Sequence, residues 1–354
     1  MASDMMAATV NRAAEKGRED FYHRAGGQHL APLWRVLGGL VTDEPVSPCA
    51  PALWRWAEVR PYLMEACKII STEEAERRVM VLENPGLPGQ SRITHSLFSG
   101  LQIILPGEIA PAHRHAASAL RFIIEGHNAY TAVAGERTMM EPGDFVITPS
   151  MTWHDHGNEG DGPMIWLDGL DMHIVNLMDA SFRDEYPDHI HPVTRPDGAA
   201  EAEAGSNLLP DGEIYRSKTS PIFNYPYART REALERLRKF RAPDACHGYR
   251  MKYINPVDGG WAMPTMSTWM QLLPKGFKTT PYRSTDSTIF VVVEGQGVTT
   301  VGGKRFEWGP HDIFVVPSWH FHELEASSDA VLFNYSDRVV QEKLDFFREQ
   351  RGNA

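Results

Sequence analysis

Three histidines are the side chains of this 354-residue chain best placed by type and spacing to do chemistry. His113 and His115 stand two apart, and His154 follows later in the chain. Because side chains alternate along a β-strand, a His-x-His pair on a strand points both rings to the same face. A third imidazole from a neighbouring strand can close one face of a metal ion and leave the opposite face open, as in catalytic metal centres. We predict that the three histidines bind a metal; imidazole suits iron, copper, nickel and zinc about equally.

The residues around the histidines predict short strands joined by tight turns. Pro142-Gly-Asp144 predicts a turn before the apolar strand Phe145–Thr148, and glycines stand on both sides of the His pair. This frame resembles the cupin superfamily, in which a Gly, His-x-His, Glu, Gly motif is followed by a Pro-Gly, His, Asn motif. Where most cupins carry a metal-binding Glu, this chain has Ala119 and Leu120. A three-His site without the carboxylate is typical of cupin aromatic-ring dioxygenases.

The same frame recurs in the second half of the chain. Six residues, Gly107, Gly126, Gly135, Asp144, Pro149 and His154, recur at nearly constant spacing as Gly276, Gly295, Gly303, Asp312, Pro317 and His322. The side chains suited to chemistry are replaced: Tyr282 and Ser284 stand for the His pair, Phe290 for Arg121, Leu324 for His156 and Ser336 for Asp168. We therefore predict a mainly β, bicupin fold. Two tandem barrels with peripheral helices would carry one metal site, in the first barrel.

Length and composition agree with two domains. Hydrophobic residues make up 42% of the chain, enough to support buried cores. We predict five segments: an N-terminal extension (1–72), a barrel with the metal site (73–190), a linker and helix (191–245), a barrel without catalytic metal (246–337) and a C-terminal helix (338–354). Each boundary follows from the repeat or from a change in composition.

Charge and cysteine content exclude several classes of function. The net charge of −11 argues against nucleic acid or an anionic membrane as partner. The three cysteines form no C-x-x-C pair, so neither a disulfide framework nor a zinc ribbon is encoded. We find no signal peptide and no membrane-length apolar span, and therefore expect a cytoplasmic protein.

Several polar residues near the histidines are candidates for substrate binding or catalysis. Arg121 lies in an otherwise apolar strand and needs an anionic partner, either a carboxylate in the core or the carboxylate of a substrate. Its absence from the second barrel favours the substrate. His156, two residues after His154, is either a proton shuttle or a histidine hydrogen-bonded behind a ligand. Asp168 ends an apolar strand and can accept a substrate hydroxyl or orient a ligand imidazole.

Three further residues are weaker candidates for substrate binding. Arg77 and Arg78 stand at the start of the predicted strand Arg78–Leu82; one of them reaches the pocket, or each is an ordinary exposed arginine. Gln102 recurs as Gln271 in the barrel that lacks the histidines. A structural role for Gln102 is therefore at least as well supported as a role in catalysis.

The chain resembles the gentisate 1,2-dioxygenase family over about residues 20–345. Five motifs carry the resemblance: Glu76-Arg-Arg-Val-Met-Val-Leu-Glu-Asn-Pro85, Ser99-Gly-Leu-Gln-Ile-Ile-Leu-Pro-Gly107, Pro111-Ala-His-Arg-His115, Asn255-Pro-Val-Asp-Gly-Gly260 and Pro264-Thr-Met266. The resemblance implies one Fe(II) per chain, held by the three histidines, and cleavage of gentisate with O2 to maleylpyruvate in a homotetramer. It also implies that Arg121, His156 and Asp168 line the substrate pocket.

Other functions remain open at this point. Salicylate and 1-hydroxy-2-naphthoate dioxygenases share these motifs, so the family is better defined than the substrate. All would take a small ortho-hydroxy aromatic acid, because a metal with three neutral ligands favours a dianionic chelator. A cupin decarboxylase or isomerase would usually keep the Glu ligand, and a storage bicupin would need no ligands.

Overall fold

The computed structural model describes the backbone of residues 2–352 and the side chains of residues 15–72 and 74–352. These residues form two compact units, Met1–Val46 and Ser47–Ala354. The first unit contains helices α1 (Ala2–Gly27) and α2 (Leu33–Leu40). Within residues 2–352 no helix combines the length and apolar character that crossing a bilayer requires.

The second unit begins with a short arm and the first barrel. The elements in order are β1 (Ala52–Trp54), α3 (Trp56–Ile69), α4 (Thr72–Ala75), β2 (Val79–Val81), β3 (Phe98–Ile104), β4 (Ile109–His115), β5 (Ala119–Glu125), β6 (Ala129–Val133), β7 (Glu136–Met140), β8 (Phe145–Thr148), β9 (His154–Asn158), β10 (Met164–Leu170), α5 (Met172–Leu177) and β11 (Arg183–Glu185).

The second half repeats this order. After α6 (Ala199–Ala204) come β12 (Asn224–Tyr225), α7 (Tyr227–Phe240), β13 (Tyr249–Lys252), β14 (Ser267–Leu273), β15 (Tyr282–Ser284), β16 (Thr288–Glu294), β17 (Gly297–Val301), β18 (Lys304–Trp308), β19 (Ile313–Val316), β20 (His322–Ala326), β21 (Ala330–Ser336), α8 (Arg338–Lys343) and β22 (Glu349–Arg351).

The sheets confirm the predicted pair of barrels. The first barrel consists of the sheets β12-β8-β5-β10-β3-β2 and β11-β4-β9-β6-β7, and the second of β1-β19-β16-β21-β14-β13 and β18-β17-β20-β15-β22. Matching strands occupy matching places in both. At the repeated turn glycines Gly126 (φ 104°) and Gly295 (φ 79°), an added Cβ would lie 2.5 and 2.2 Å from a backbone oxygen. Both the left-handed backbone and the lack of space require glycine there.

The arms that precede the two barrels are exchanged. β1 precedes the first barrel but pairs with β19 of the second, and Asp312 of that barrel accepts the backbone N–H of Trp56 at the start of α3 (2.8 Å). β12 precedes the second barrel but pairs with β8 of the first, where Asp144 accepts the N–H of Tyr227 at the start of α7 (2.8 Å). The repeated aspartates thus cap helices that belong to the other half of the chain.

The two six-stranded sheets face each other across a shared apolar core. Leu101, Phe122 and Phe145 of the first barrel meet Met270 and Phe333 of the second, and the rings of Phe122 and Phe333 stack with centroids 4.3 Å apart. Because strand side chains alternate, the next residues face the barrel interior. In the first barrel these inward residues are apolar at one end and polar at the other, where Gln102, Arg121, Thr148 and Asp168 lie.

The five-segment division of the chain remains a prediction, but the strands place parts of the outer segments differently. β1 and α3, within the predicted extension 1–72, belong to the compact unit of the barrels. The helix predicted over 338–354 ends at Lys343; the chain then forms β22, which pairs with β15 as β11 pairs with β4. The segment after each barrel's helix therefore returns as an edge strand.

Candidate metal centre

Two neighbouring strands bring the three predicted ligands together. His113 and His115 lie on β4, and His154 lies directly opposite His113 on the antiparallel strand β9. The ligand nitrogens lie within 4.8 Å of one another, and the ring centroids are 4.4 to 5.2 Å apart. Within the described residues, no Asp, Glu or Cys completes this group. The structure therefore presents three convergent imidazoles without a protein carboxylate.

Backbone contacts orient the rings for metal binding. The Nδ1 atoms of His115, His154 and His113 lie 2.7, 2.9 and 3.2 Å from backbone carbonyl oxygens two residues away. A proton on Nδ1 donated to the carbonyl leaves Nε2 as the atom that binds a metal. Burial, the largest cause, lowers the pKa of His113 to about 3 and that of His154 well below 6.5. The rings are therefore neutral, which is the form that a metal requires.

The Arg77 guanidinium also contacts Nδ1 of His113, the nitrogen that lies near the carbonyl of Pro111. Its Nη2 lies 2.6 Å from Nδ1 of His113 and donates to the carbonyl of Pro111 at 2.7 Å. A guanidinium has only donors, so it cannot share a hydrogen bond with a protonated Nδ1. Metal binding through Nε2 of His113 therefore requires the Arg77 guanidinium to move away from the ring.

Arg121 and Asp168 form a buried pair in the polar end of the barrel. They lie opposite each other on β5 and β10, and Arg121 Nε is 3.5 Å from Asp168 Oδ1. Arg121 Nη1 donates to Thr148 Oγ1 at 2.5 Å, and Trp166 Nε1 donates to Asp168 at 3.0 Å. Burial raises the pKa of Asp168 to about 6 despite the attraction of Arg121. Of the two partners considered for Arg121, a core carboxylate is thus present, while Nε still makes no hydrogen bond.

His156 lies two residues beyond the ligand His154 and is fully buried. Its Nδ1 lies 2.9 Å from Thr131 Oγ1, and its ring is 5.3 Å from the ring of Trp166. Burial lowers its pKa well below 6.5, and its Nε2 has no partner among the described residues. An unpartnered buried nitrogen costs free energy, and a ligand in the pocket could offset that cost.

Gln102 is also buried, and its Nε2 has no partner among the described residues. Gln271, in the barrel without the His pair, has the same unpartnered atom. The two glutamines thus share an unpartnered Nε2, although Oε1 of Gln271 also accepts a hydrogen bond from Asn334 at 3.4 Å.

Arg77 and Arg78 point to different places. Arg77, together with His113, lines a cavity of about 300 Å³. Arg78 is 4% exposed, donates to Thr72 Oγ1 at 2.9 Å and forms an ion pair with Glu108. Of the two arginines, Arg77 is the one that lines the cavity, whereas the donors of Arg78 hold α4 and the loop before β4. Substrate binding by either arginine stays a prediction.

The other wall of this cavity was not predicted. Residues 182–195 run across β4, and Tyr186 and His189 line the cavity. His191 anchors the segment: its Nδ1 donates to Asp155 at 2.5 Å, and its Nε2 accepts the N–H of Gly135 at 3.0 Å. Asp155 stands between His154 and His156 on β9, so it faces away from the metal site. In the sequence, only the position of Asp155 between His154 and His156 could have indicated that another segment packs on the outer face of this strand.

The second barrel keeps the shape of the site without its ligand set. Tyr282 lies opposite His322, as His113 lies opposite His154, and its hydroxyl donates to Glu349 at 2.8 Å. The pairing also corrects one predicted equivalence. Asn334, not Ser336, occupies the place of Asp168, since it lies opposite Phe290 as Asp168 lies opposite Arg121. Two residues are missing from the turn between β20 and β21 relative to that between β9 and β10.

Comparison with known proteins agrees with this geometry. Residues 100–170 and 268–334 match the Cupin domain family. Over 98% of its length the chain is 56% identical to gentisate 1,2 dioxygenase 1 of Aquipseudomonas alcaligenes, all of which is covered. It is 40% identical to 5-aminosalicylate 1,2-dioxygenase of Comamonas sp, covering 91% of this chain and 87% of that protein.

A solved structure matches both barrels at once. The gentisate adduct of salicylate 1,2-dioxygenase from Pseudoaminobacter salicylatoxidans superposes with a TM-score of 0.91 at 32% identity, covering 96% of this chain and 94% of that one. Identity and coverage of this extent, together with two cupin barrels and one open three-histidine site, show that the chain belongs to the gentisate 1,2-dioxygenase family of ring-cleaving dioxygenases.

Proposed function

We propose that the protein is a gentisate 1,2-dioxygenase that uses one Fe(II) per chain to convert gentisate and O2 to maleylpyruvate in the catabolism of aromatic compounds. The observation that carries the proposal is the convergence of three neutral imidazoles beside a buried arginine, Arg121, whose Nε makes no hydrogen bond. Relatives that are named for gentisate, 5-aminosalicylate and salicylate support the same class of substrate.

The donor set fits a metal that binds a dianionic substrate. Three neutral imidazoles leave a divalent ion with its full charge and with open positions, and imidazole is a suitable ligand for iron. Iron(II) bound here would supply the redox chemistry with O2 and would chelate the carboxylate and the ortho hydroxyl of gentisate. Imidazole also suits zinc, but zinc has no redox chemistry.

The residues of the chain would bind and orient the substrate. Arg121 would hold the substrate carboxylate, since a guanidinium in a desolvated site binds carboxylates through paired donors. Asp168 would keep the Arg121 guanidinium in place and accept a hydroxyl. His156, neutral and with a free Nε2, would accept or donate a proton at a substrate oxygen. Arg77 would add a second positive charge at the cavity beside His113.

Oxygen uptake with purified protein loaded with Fe(II) tests this proposal. We expect rapid uptake with gentisate, slower uptake with salicylate and 1-hydroxy-2-naphthoate, and formation of a ring-opened product. Faster uptake with salicylate or 1-hydroxy-2-naphthoate would instead identify that compound as the substrate. The similarity to salicylate 1,2-dioxygenase favours salicylate as this alternative. Turnover without O2, or with manganese alone, would instead indicate a cupin decarboxylase or isomerase.

We also propose a cytoplasmic homotetramer. The cysteines Cys49, Cys67 and Cys246 are all free, as is usual in a reducing compartment. Sedimentation of the purified protein would test the assembly, and a monomer at micromolar concentration would contradict it.

A further inference from the structure

Two carboxylates at equivalent places in the barrels, Asp171 buried and Asp337 partly exposed, each accept a hydroxyl hydrogen bond from the opposite half of the chain. Asp171 follows β10 and accepts the hydroxyl of Thr265. Asp337 follows β21 and accepts the hydroxyl of Ser96 at 2.8 Å. Thr265 precedes β14 as Ser96 precedes β3. The two hydrogen bonds are therefore related by the internal repeat.

In the first barrel this carboxylate joins the ends of the strands that carry Arg121 and Asp168. Asp171 Oδ1 accepts the backbone N–H of Ser118 at 2.8 Å, and the N–H of Asp171 donates to the carbonyl of Ser118 at 3.4 Å. From this point β5 and β10 run in register to the Arg121–Asp168 pair. Asp171 and Ser118 are each three residues from a member of the pair. A displacement of the Asp171 carboxylate would therefore move the ends of both strands and change the position of Arg121 relative to Asp168.

A second contact holds β10 from the same side. The ring of Tyr335, from β21 of the second barrel, packs on Gly169, where an added Cβ would lie 2.9 Å from the ring. The strand that carries Asp168 is thus fixed both by packing and by a hydrogen bond from the half without the ligand set.

The equivalent bond in the second barrel positions no charged pair. Ser287 donates its N–H to Asp337 Oδ1 at 3.0 Å, as Ser118 does to Asp171. The strands that follow carry Phe290 and Asn334 opposite each other. The Ser96–Asp337 hydrogen bond is therefore a structural counterpart of the Thr265–Asp171 hydrogen bond, without a charged pair beyond it.

We propose that Thr265 is a positioning residue for substrate binding, acting through Asp171 and the ends of β5 and β10 on the Arg121–Asp168 pair. The inference rests on the proposed role of Arg121 as the group that holds the substrate carboxylate. Asp171 is 2% exposed, so a carboxylate oxygen that loses the Thr265 hydroxyl has no water to replace it. The carboxylate then shifts, or takes up a proton, and releases the strand ends that it joins.

Thr265→Val and Ser96→Ala, made in the full chain loaded with Fe(II), test the proposal because each removes one of the two related hydroxyls. We expect Thr265→Val to raise both KM and the anaerobic Kd for gentisate about 5- to 10-fold, as loss of one positioning hydrogen bond would. kcat should stay within about twofold, because Arg121 holds the carboxylate equally before and during reaction. Iron content should not change.

The control separates positioning from stability. Ser96→Ala should leave KM and Kd unchanged whatever its effect on the melting temperature, and Thr265→Ser should restore both values. Unchanged KM in Thr265→Val, an equal rise in Ser96→Ala, or no restoration by Thr265→Ser would each overturn the proposal. Turnover of gentisate by the wild-type protein tests the proposed function separately. If gentisate is not turned over, the ratios of KM and Kd between the variants and the wild type can be measured with salicylate.

Discussion

Arg121 and Asp168 lie opposite each other on neighbouring strands, with Nε and Oδ1 3.5 Å apart and both side chains almost fully buried. The pair is incomplete, because Arg121 Nε lacks a hydrogen bond and burial still raises the pKa of Asp168. The proposed substrate carboxylate would give Arg121 a second anionic partner.

Replacing Arg121 with Ala should weaken binding of gentisate strongly. Loss of a desolvated charge partner costs about 2–5 kcal/mol, so KM should rise by at least an order of magnitude. Iron content should stay close to that of the wild type, since Arg121 does not belong to the ligand group. If the variant loses iron, or if a folded fraction binds gentisate normally, the arginine has a structural role.

Asp168 should make stability depend on pH. Its pKa is raised from 3.8 to about 6, so the folded protein keeps a proton that the unfolded chain releases between these values. The stability that Asp168 contributes is therefore complete below about pH 3.8 and is lost as the pH rises through about 6. The Asn side chain of the Asp168→Asn variant cannot ionise. Calorimetry of the metal-free proteins should therefore show that the melting temperature of the variant rises relative to that of the wild type as the pH increases across this range. A difference that is constant with pH would contradict the assignment.

The protein should bind about one iron per chain, through His113, His115 and His154. Replacing any of the three with Ala should remove most of the iron, measured by metal analysis, and abolish activity. The double variant His320→Ala, His322→Ala is the matched control in the second barrel and should keep both. A second anomalous-scattering peak at the iron edge inside that barrel would show that it too holds a metal.

Arg77 and Arg78 should respond differently to replacement by Met. Arg77→Met should raise KM for gentisate, because this arginine lines the cavity beside His113. Arg78→Met should leave KM unchanged and cost about 1–3 kcal/mol of stability, since it removes the donor to Thr72 and the ion-pair partner of Glu108. Denaturant unfolding and steady-state kinetics on both variants would decide; equal effects on KM would show that the second arginine also reaches the substrate.

His156→Leu should test whether the unpartnered Nε2 moves a proton. Leu324 occupies the equivalent place in the second barrel, so leucine is compatible with this strand. We expect kcat to fall about 10²- to 10⁴-fold, as loss of a general acid or base does, while iron is retained. Loss of iron without a specific loss in kcat would instead show that His156 supports the ligand His154.

The ligand set and the doubled barrel could be predicted from the sequence because both depend on local pattern. His-x-His on a strand and turn glycines fix side-chain direction and backbone shape within a few residues. The equivalence of Asp168 to Ser336 was wrong because two residues are missing from one turn, which a constant spacing cannot reveal. The pairing at Phe290 and Asn334 was needed to find the correct partner.

Contacts distant in the sequence could not be predicted. The strand Ala52–Trp54 has three residues and no periodicity, and its partner lies in the second barrel. The bonds of Asp155 to His191 and of Asp171 to Thr265 also join segments with no shared motif. Arg77 and Arg78 are adjacent in the sequence, and only their contacts with His113 and Glu108 separate them.

The exchange of arms between the barrels has a consequence for how the chain is synthesised. Trp56 leaves the ribosome long before its partner Asp312, which lies 256 residues later. Until then β1 and α3 have no sheet to join, and the apolar face around Phe122 and Phe145 is uncovered. A nascent chain that ends after the first barrel therefore exposes an apolar sheet face, which is prone to aggregation and is a binding surface for chaperones. We expect that neither 73–190 nor 246–337 folds as an independent fragment, because each lacks the arm strand that pairs with its barrel.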